Sequence, residues 1–324
     1  MSESPPVVGV VLPVFNVEPW LDAMLASLRA QTYANWSAII VDDGSTDGGV
    51  EIAERHAGLD PRIRVASNPH HGPGARLARI HGRSLLSNDV DYVYFPDADD
   101  VLEPLLIERL VERLEARPGA VAAFCDFTTI DEDGEALTTA VTQRLALSRR
   151  WVRCIADADE DTPFETLYSG AAAWEGLTMF RRTAYDQAGG YERSPAWESH
   201  TVLDLLLRLS ALGRVVFVAE RLYRRRRRPG QASDNRRMLV LNDKALKRLW
   251  AERATSDPDL RQSLAHAEFL LLHRAAPRRR LVRAVAFARR GNLLATAPRV
   301  VLALLYYRWR IPPSVRSSVR DFDH

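Results

Sequence analysis

Three carboxylates stand within four positions of the sequence, at Asp97, Asp99 and Asp100. They follow the apolar and aromatic residues 92–96, a run typical of a buried strand. Like charges at this spacing raise one another's pKa, so a neutralising cation is a physical reason to gather them. Carboxylate oxygens that share an ion with water and phosphate oxygens suit Mg²⁺ or Mn²⁺. The segment therefore predicts a divalent-metal site that can hold a diphosphate, with Asp97 and Asp99 as ligands.

The direction of the side chains supports this interpretation. Alternate residues of an extended strand end point to the same side, so Asp97 and Asp99 are expected to face one ion, with Ala98 opposite. A solvated, Asp-rich turn before a helix is the alternative. A second acid pair, Asp42–Asp43, follows another buried run at 36–41 and favours the metal site over the solvated turn.

Strand-like and helix-like segments alternate over about the first 130 residues. Strands are predicted at 7–15, 36–45, 62–68, 91–100 and 120–131, and helices at 19–31, 48–57, 75–87 and 104–117. Further along the chain, a helix is predicted at 200–213 and a strand at 214–220. Such alternation predicts an α/β fold with a mostly parallel central sheet and helices on both faces. Because ligands bind at the carboxyl ends of the strands in such sheets, we expect both acid clusters to face one site.

The composition indicates the class of protein and its cellular location. Hydrophobic residues make up 46% of the 324 residues and charged residues 27%, which is typical of a soluble globular chain. The two cysteines, Cys125 and Cys154, provide neither a disulfide framework nor a zinc pattern. The N-terminal segment lacks the features of a signal peptide. We therefore expect a cytoplasmic protein.

Three segments resemble the family 2 glycosyltransferases with the GT-A fold, a Rossmann-like α/β architecture. They are "VVLPVFNVEPWLDAMLASLRAQTYANWSAIIVDDGSTDGG" (10–49), "DYVYFPDADDVLEP" (91–104) and "CDFTTIDEDGEA" (125–136). The second segment is similar to the DXD motif of that family. The resemblance extends over about residues 7–233 and is thinner between 135 and 170.

The resemblance implies a donor site built from several segments. It implies that Asp43 accepts a hydrogen bond from the base and that Asp97 and Asp99 reach the ribose, the sugar, the metal and the diphosphate. Core packing is the alternative for Phe15, and solvated helix positions are the alternative for the arginines. The residues implied in nucleotide binding are Pro13, Phe15, Asn16, Glu18, Asp43, Arg76, Arg79, Asp97 and Ala98.

The general base is where the chain departs from the family pattern. The family commonly carries a Glu-Asp pair just before an Asp-Leu, and the second acid of the pair is the usual base. Here that position holds Val202, while Asp204 matches the later Asp. We rank Glu198 first as the base and Asp204 second, and His200 third as a base or partner. A buried structural role is the alternative for Asp204.

The chain is expected to have two regions. Residues 1–233 form the GT-A catalytic domain, with a nucleotide-sugar half at about 7–131 and an acceptor half at 132–233. Residues 234–324 form a basic α-helical region, with twelve arginines and two aspartates after residue 270. The apolar stretch 300–307 is too short for a membrane span, which needs about 20 residues. Peripheral contact with the inner face of the membrane and a homo-oligomer interface both remain open for this tail.

These features predict a metal-dependent, inverting glycosyltransferase. It would use Mn²⁺ or Mg²⁺ to move a sugar from a nucleoside diphosphate, with UDP favoured, to a hydroxyl acceptor. One alternative is a catalytically degenerate nucleotide-sugar-binding or scaffold protein, because Val202 occupies the base position. A sugar nucleotidyltransferase is disfavoured because no Gly-rich basic loop follows the first strand. No nucleic-acid partner is expected, since the formal net charge is only +2.

Overall fold

The structure, a computed structural model, describes residues 4–70, 75–137, 175–194, 201–228, 236–261 and 264. The strands in these residues form one sheet. They are β1 (Val8–Val14), β2 (Trp36–Asp42), β3 (Ile63–Ser67), β4 (Tyr92–Tyr94), β5 (Val101–Leu102), β6 (Ala120–Ile130), β7 (Thr178–Arg181) and β8 (Arg214–Arg226). Their order across the sheet is β3-β2-β1-β4-β7-β6-β8-β5.

Helices follow most of the strands. They are α1 (Glu18–Arg29), α2 (Gly49–Leu59), α3 (Arg76–Leu85), α4 (Leu106–Glu115), α5 (Arg182–Gln187), α6 (Thr201–Ser210) and α7 (Arg236–Arg253). Helix α3 lies against β1 and β2, and α4 lies against β6 and β8. Leucines at helical spacing form the buried face of α1, and Leu106, Ile107, Leu110, Val111 and Leu114 form that of α4.

One half of the sheet is parallel, as the sequence predicts. Strand β1 pairs in parallel with β2 and β4, and β2 pairs in parallel with β3. All seven residues of β1 are buried, which is the pattern of a strand covered on both faces. The register aligns Val14 with Asp42, so β1 and β2 end together.

The other half of the sheet is mixed. Strand β7 runs antiparallel between β4 and β6, and β8 is parallel to β6 but antiparallel to β5. Neither β5 nor β7 was expected from the sequence, because two and four residues are too few for a clear periodic pattern. The mostly parallel arrangement therefore holds for β3-β2-β1-β4, and antiparallel pairs join the remaining strands.

Two predicted strands have different lengths in the structure. The strand predicted at 91–100 is only Tyr92–Tyr94, because Pro96 cannot donate to a ladder and a turn follows it. The strand predicted at 214–220 continues to Arg226. A run of arginines hides the polar and apolar alternation that would have revealed this extension, although Tyr223 and Arg226 are both buried.

The C-terminal region is described only in part. The chain divides into two compact units, Met1–Arg248 and Leu249–His324. The boundary near residue 233 remains a prediction. Within the described residues, no helix has the length and apolar character needed to span a bilayer. The tail segments expected to contact a membrane or a second copy, 278–290 and 298–310, lie outside the described residues.

A half-buried ion pair lies in the turn between α2 and β3 and packs on the start of β2. Arg62 donates to both carboxylate oxygens of Asp60, at 3.0 and 2.8 Å, and its guanidinium lies 3.8 Å over the Trp36 ring. The hydrogen bonds from Arg62 lower the pKa of Asp60, although burial opposes them. The ionised carboxylate therefore stabilises the folded chain.

Replacing Asp60 by Asn should lower the free energy of unfolding by about 1–2 kcal/mol at pH 7, because a charge-assisted pair is lost. The pKa of Asp60 is lower in the folded chain than its ordinary 3.8. The stabilisation is therefore present above about pH 4 and disappears as the pH falls through the folded-state pKa. Urea unfolding at several pH values measures it, with the exposed α2 variant Glu54→Gln as control. Equal stability of Asp60→Asn and the wild type at pH 7 would contradict this role.

Candidate functional site

The carboxyl ends of the parallel strands bring both acid clusters to one edge of the sheet. Strands β1, β2 and β4 run in the same direction, and Phe15, Asp43 and Phe95 follow them directly. The turn that contains Asp97 and Asp99 begins two residues after Phe95. Both acid clusters therefore lie at one edge of the sheet, and the expectation that they face one site stays a prediction.

The loops after β1 and β2 interlock at this edge. Asn16 has a positive φ of 49°, which asparagine tolerates better than most residues, and its side-chain oxygen accepts a bond from Thr46 N at 2.8 Å. Glu18 accepts from Gly48 N at 2.9 Å and donates its own main-chain N–H to Asp47 at 2.9 Å. Both residues implied in nucleotide binding therefore also hold the loops after β1 and β2 together.

Asp43 is held by a residue that was not singled out from the sequence. Its carboxylate is buried and accepts a 2.6 Å hydrogen bond from the Asn68 side chain. Asn68 also donates to the His70 carbonyl at 2.8 Å, and its main-chain N–H donates to the Asp42 carbonyl at 2.7 Å. The available signal was position, because Asn68 directly follows β3 at the same edge of the sheet.

Phe15 and Pro13 differ sharply in exposure. The Phe15 side chain is 57% exposed, so the core-packing alternative is wrong for this residue. Pro13 is buried within β1, opposite Val41 of β2. An exposed aromatic ring beside Asp43 is suited to stacking on a nucleobase.

The acidic motif forms a turn, which corrects the expectation of an extended strand end. The main-chain N–H of Asp100 donates to the Asp97 carbonyl at 3.3 Å. Asp97 and Asp99 consequently contact the guanidinium groups of two different arginines. Arg79 donates to Asp97 at 2.8 Å, and Arg228 donates to Asp99 at 2.7 Å. Each carboxylate thus has a guanidinium beside it.

The structure distinguishes Arg76 from Arg79, the two α3 arginines implied in nucleotide binding. Arg79 is buried and paired with Asp97, whereas Arg76 extends toward the Tyr191 carbonyl, at 3.5 Å. The Arg79 guanidinium also lies 5.9 Å from the centre of the Tyr191 ring. Arg79 is therefore the α3 arginine beside the acidic turn, a choice that the sequence left open. Ala98, between the two acids, is buried.

Asp100 is a buried structural acid. Its carboxylate accepts a 2.6 Å bond from the main-chain N–H of Arg226 and a bond from the Tyr223 hydroxyl. That hydroxyl also accepts from Asp97 N at 3.2 Å. Burial raises the pKa of Asp100 well above its usual range, and the charges of Asp99 and Asp97 act in the same direction. Burial likewise raises the pKa of Tyr223, so its hydroxyl stays protonated and able to donate.

An aromatic cluster packs around Phe95, two residues before the acidic turn begins. Phe95 stacks on Tyr185 at a centroid distance of 5.4 Å and meets Tyr191 edge-on at 5.1 Å. Phe180 of β7 completes the cluster, 6.1 Å from Phe95. These rings connect the segment before the turn to the segment that leads toward the expected acceptor side.

Of the three candidates for the general base, only Asp204 lies within the described residues. Asp204 is fully buried and pairs with Arg208 at 2.9 Å. Arg208 also donates to the Gly190 carbonyl at 2.9 Å and to Ser194 at 2.8 Å. Asp204 thereby helps to anchor the turn at the end of α5, which is the structural role left open above. Glu198 and His200 lie outside the described residues.

The sequence profile of glycosyl transferase family 2 matches residues 9–188, which is more than half of the chain. The chain belongs to glycosyl transferase family 2. The matched range includes the interlocked loops, Arg79 and the acidic turn.

Relatives of this family 2 chain include several glycosyltransferases. The putative glycosyltransferase EpsE of Bacillus subtilis is 28% identical over 206 residues, which are 63% of this chain and 67% of EpsE. Glycosyltransferase GlyG of Streptococcus pneumoniae is 31% identical over 134 residues, 41% of this chain and 42% of GlyG. The uncharacterized protein y4gI of Sinorhizobium fredii is 28% identical over 237 residues, 72% of this chain. The matches cover 42% of GlyG and 24% of y4gI, so this chain spans less than half the length of either relative.

Two solved structures share the fold of this family 2 chain. TarS 1–349 of S. aureus in complex with UDP-GlcNAc has a TM-score of 0.60 and 15% identity, over 91% of this chain and 82% of that one. Mannosyltransferase PcManGT from Pyrobaculum calidifontis in complex with GDP-Man and Mn²⁺ has a TM-score of 0.56 and 19% identity, over 97% and 83%. At these identities the similarity concerns the fold alone.

Replacing Asp204 by Asn should lower the free energy of unfolding by about 3 kcal/mol, because it removes one partner of a buried pair. Urea unfolding measures this loss, and the exposed acid variant Glu192→Gln, from the same segment, is the control. A variant with wild-type stability and no transferase activity would contradict the structural role and identify Asp204 as the base.

Proposed function

We propose that the chain is a metal-dependent, inverting glycosyltransferase. It moves a sugar from a nucleoside diphosphate donor, with UDP favoured, to an acceptor hydroxyl. Membership of glycosyl transferase family 2 supports the reaction class. The two fold relatives were solved with a UDP-sugar and a GDP-sugar, so both bases belong in the test.

One arrangement carries the proposal. Asp43, with its orienting Asn68, lies at the same sheet edge as Asp97 and Asp99, each of which has a guanidinium alongside. A buried carboxylate can accept an N–H donor of a base, and exposed Phe15 offers a ring to stack on it. The arginine and carboxylate pairs suit a diphosphate and its counter-cation. Together these groups match the successive parts of a nucleotide sugar.

Mg²⁺ or Mn²⁺ fits the donor chemistry of the acidic turn. Proteins often hold Mg²⁺ with one or two carboxylates while water and phosphate oxygens complete the coordination. Asp97 and Asp99 offer such a pair, and the Asp97 side chain is 43% exposed. No group of three or more His, Cys, Asp or Glu side chains able to hold a metal occurs in the described residues. A bound cation would stabilise the negative charge of the leaving diphosphate.

The protein groups have separate tasks in the transfer. Asp43 and the interlocked loops bind the nucleoside, while Arg79 and Arg228 lie where a diphosphate can accept their N–H groups. Glu198 takes the proton of the acceptor hydroxyl as its oxygen attacks the anomeric carbon. The bond from that carbon to the diphosphate breaks, and the diphosphate leaves with the electron pair. A single displacement of this kind inverts the configuration.

A non-catalytic nucleotide-sugar-binding protein is the second candidate. The buried, apolar Val202 stands where the family commonly has its base, and Asp204 is held in a structural ion pair. A chain without a base would bind the nucleotide but not transfer the sugar. Donor turnover separates the two candidates.

Calorimetric titration with UDP, GDP, CDP and dTDP, each with and without Mn²⁺, tests the donor site. We expect one nucleotide to bind better with Mn²⁺ and expect Asp99→Asn to weaken that binding by at least about 10-fold, because it removes a charged ligand. The variant Asp89→Asn, an exposed acid before β4, should bind like the wild type. Failure of every nucleotide to bind the wild type would overturn the donor site.

Replacing Glu198 by Gln should lower kcat by about 10²–10⁴-fold and leave nucleotide binding unchanged, because proton removal is lost while the donor site is intact. Release of the nucleoside diphosphate from a panel of sugars linked to whichever nucleotide the wild type binds, with water or added sugars as acceptor, measures the rate. Glu192→Gln serves as the control. Wild-type turnover by Glu198→Gln would exclude this residue as the base, and absence of turnover by the wild type would favour the binding protein.

A further inference from the structure

Arg226 differs from the other members of the five-arginine run 224–228. It alone in the run is buried, with 3% of its surface exposed. Its register in β8, opposite Ile130 at the end of β6, brings it next to the turn 131–134. Neither of the neighbouring arginines Arg224 and Arg228 is buried.

Arg226 connects two loops that are distant in sequence. Its Nε donates to the main-chain carbonyl of Asp99 at 2.8 Å. Its Nη1 donates to the carbonyls of Asp131 and Glu132, at 2.9 and 2.6 Å. The main-chain N–H of Arg226 also holds the Asp100 carboxylate. One residue therefore contacts both the acidic turn and the turn that follows β6.

The acceptors of Arg226 indicate what its side chain does. Those described are main-chain carbonyls, so the guanidinium holds the backbone of both turns, while the Asp99 carboxylate accepts its described hydrogen bond from Arg228. A buried guanidinium is costly unless its donors are satisfied, so a shift of either turn would carry a penalty. The planar fork reaches both turns at fixed angles, which a single ammonium group cannot do.

We propose that Arg226 is a positioning residue of the metal–diphosphate site. It holds the main chain of Asp99 and the turn 131–134 in one arrangement, so that the Asp99 carboxylate is presented to the cation and the diphosphate. This inference rests on the proposed function. It adds that the geometry of the donor site depends on a turn that begins the expected acceptor half.

The test compares Mn²⁺-dependent binding of UDP, or of whichever nucleotide the wild type prefers, between Arg226→Lys and Arg224→Lys. Arg224 is the matched control because it donates to Gly134 O of the same turn at 2.8 Å and makes no described contact with Asp99. We expect Arg226→Lys to weaken Mn²⁺-dependent binding about 10–100-fold, as is usual when a group that orients a metal ligand is lost. Binding without Mn²⁺ should change far less, and Arg224→Lys, which removes a contact with the turn but none with Asp99, should weaken Mn²⁺-dependent binding much less than Arg226→Lys.

A second variant covers the case in which Arg226→Lys does not fold. Asp131→Ala removes the side-chain acceptor that holds Asp133 N and Glu135 N, at 3.1 and 2.8 Å, and loosens the turn while Arg226 stays in place. It should weaken Mn²⁺-dependent binding in the same direction by a smaller factor. Thermal unfolding verifies that each variant is folded.

The outcomes separate the inference from the proposed function. A wild type that binds no nucleotide with Mn²⁺ overturns the proposed function and the positioning role with it. Mn²⁺-dependent binding that is equal in the wild type and folded Arg226→Lys overturns the positioning role alone. Where Arg226→Lys does not fold, Mn²⁺-dependent binding by Asp131→Ala that equals that of the wild type overturns the positioning role alone. Equal losses in Arg226→Lys and Arg224→Lys would also overturn it.

Discussion

Three carboxylates within four residues repel one another, and the fold around the site depends on how that repulsion is relieved. Each acid has its own partner: Asp97 pairs with Arg79, Asp99 with Arg228, and Asp100 is held by the Arg226 main chain and the Tyr223 hydroxyl. These partners come from α3 and from the end of β8. The motif therefore requires two distant segments to converge on one turn, and the sheet order makes this possible.

The two sides of the site are built in different ways. At the ends of β1 and β2, loops that follow neighbouring parallel strands exchange hydrogen bonds, as Asn16 does with Thr46 and Glu18 with Gly48. At the acidic turn, β5 pairs with β8 and thereby fixes the turn that precedes it. Strand β8 also pairs with β6 along most of its length. The first side depends on adjacent strand ends, and the second depends on pairing between residues more than 90 positions apart.

An ion pair also holds the backbone around α6. Asp204 and Arg208 form a buried pair one helical turn apart, and the arginine extends to the carbonyl of Gly190. Breaking such a pair leaves an uncompensated buried charge, so both partners are needed for stability. In this chain, Asp204 and Asp100 hold the backbone around the candidate site, whereas Asp97 and Asp99 pair with arginine side chains.

The sequence by itself determined the α/β class, the parallel strands β1 to β4 and the shared edge of the two acid clusters, because these follow from local apolar runs and the direction of consecutive strands. The tertiary structure alone decided that Arg79 pairs with Asp97, that Asn68 holds Asp43, and that Phe15 is exposed, because only the packing of the chain decides which side chains reach the acids. It also decided that Tyr223 and the main chain of Arg226 hold Asp100. These last contacts could not be read from the sequence because they depend on β5 and the extension of β8, whose short or arginine-rich segments carry no periodic signal. Strand pairing over long sequence separations, rather than local pattern, brings those residues to the site.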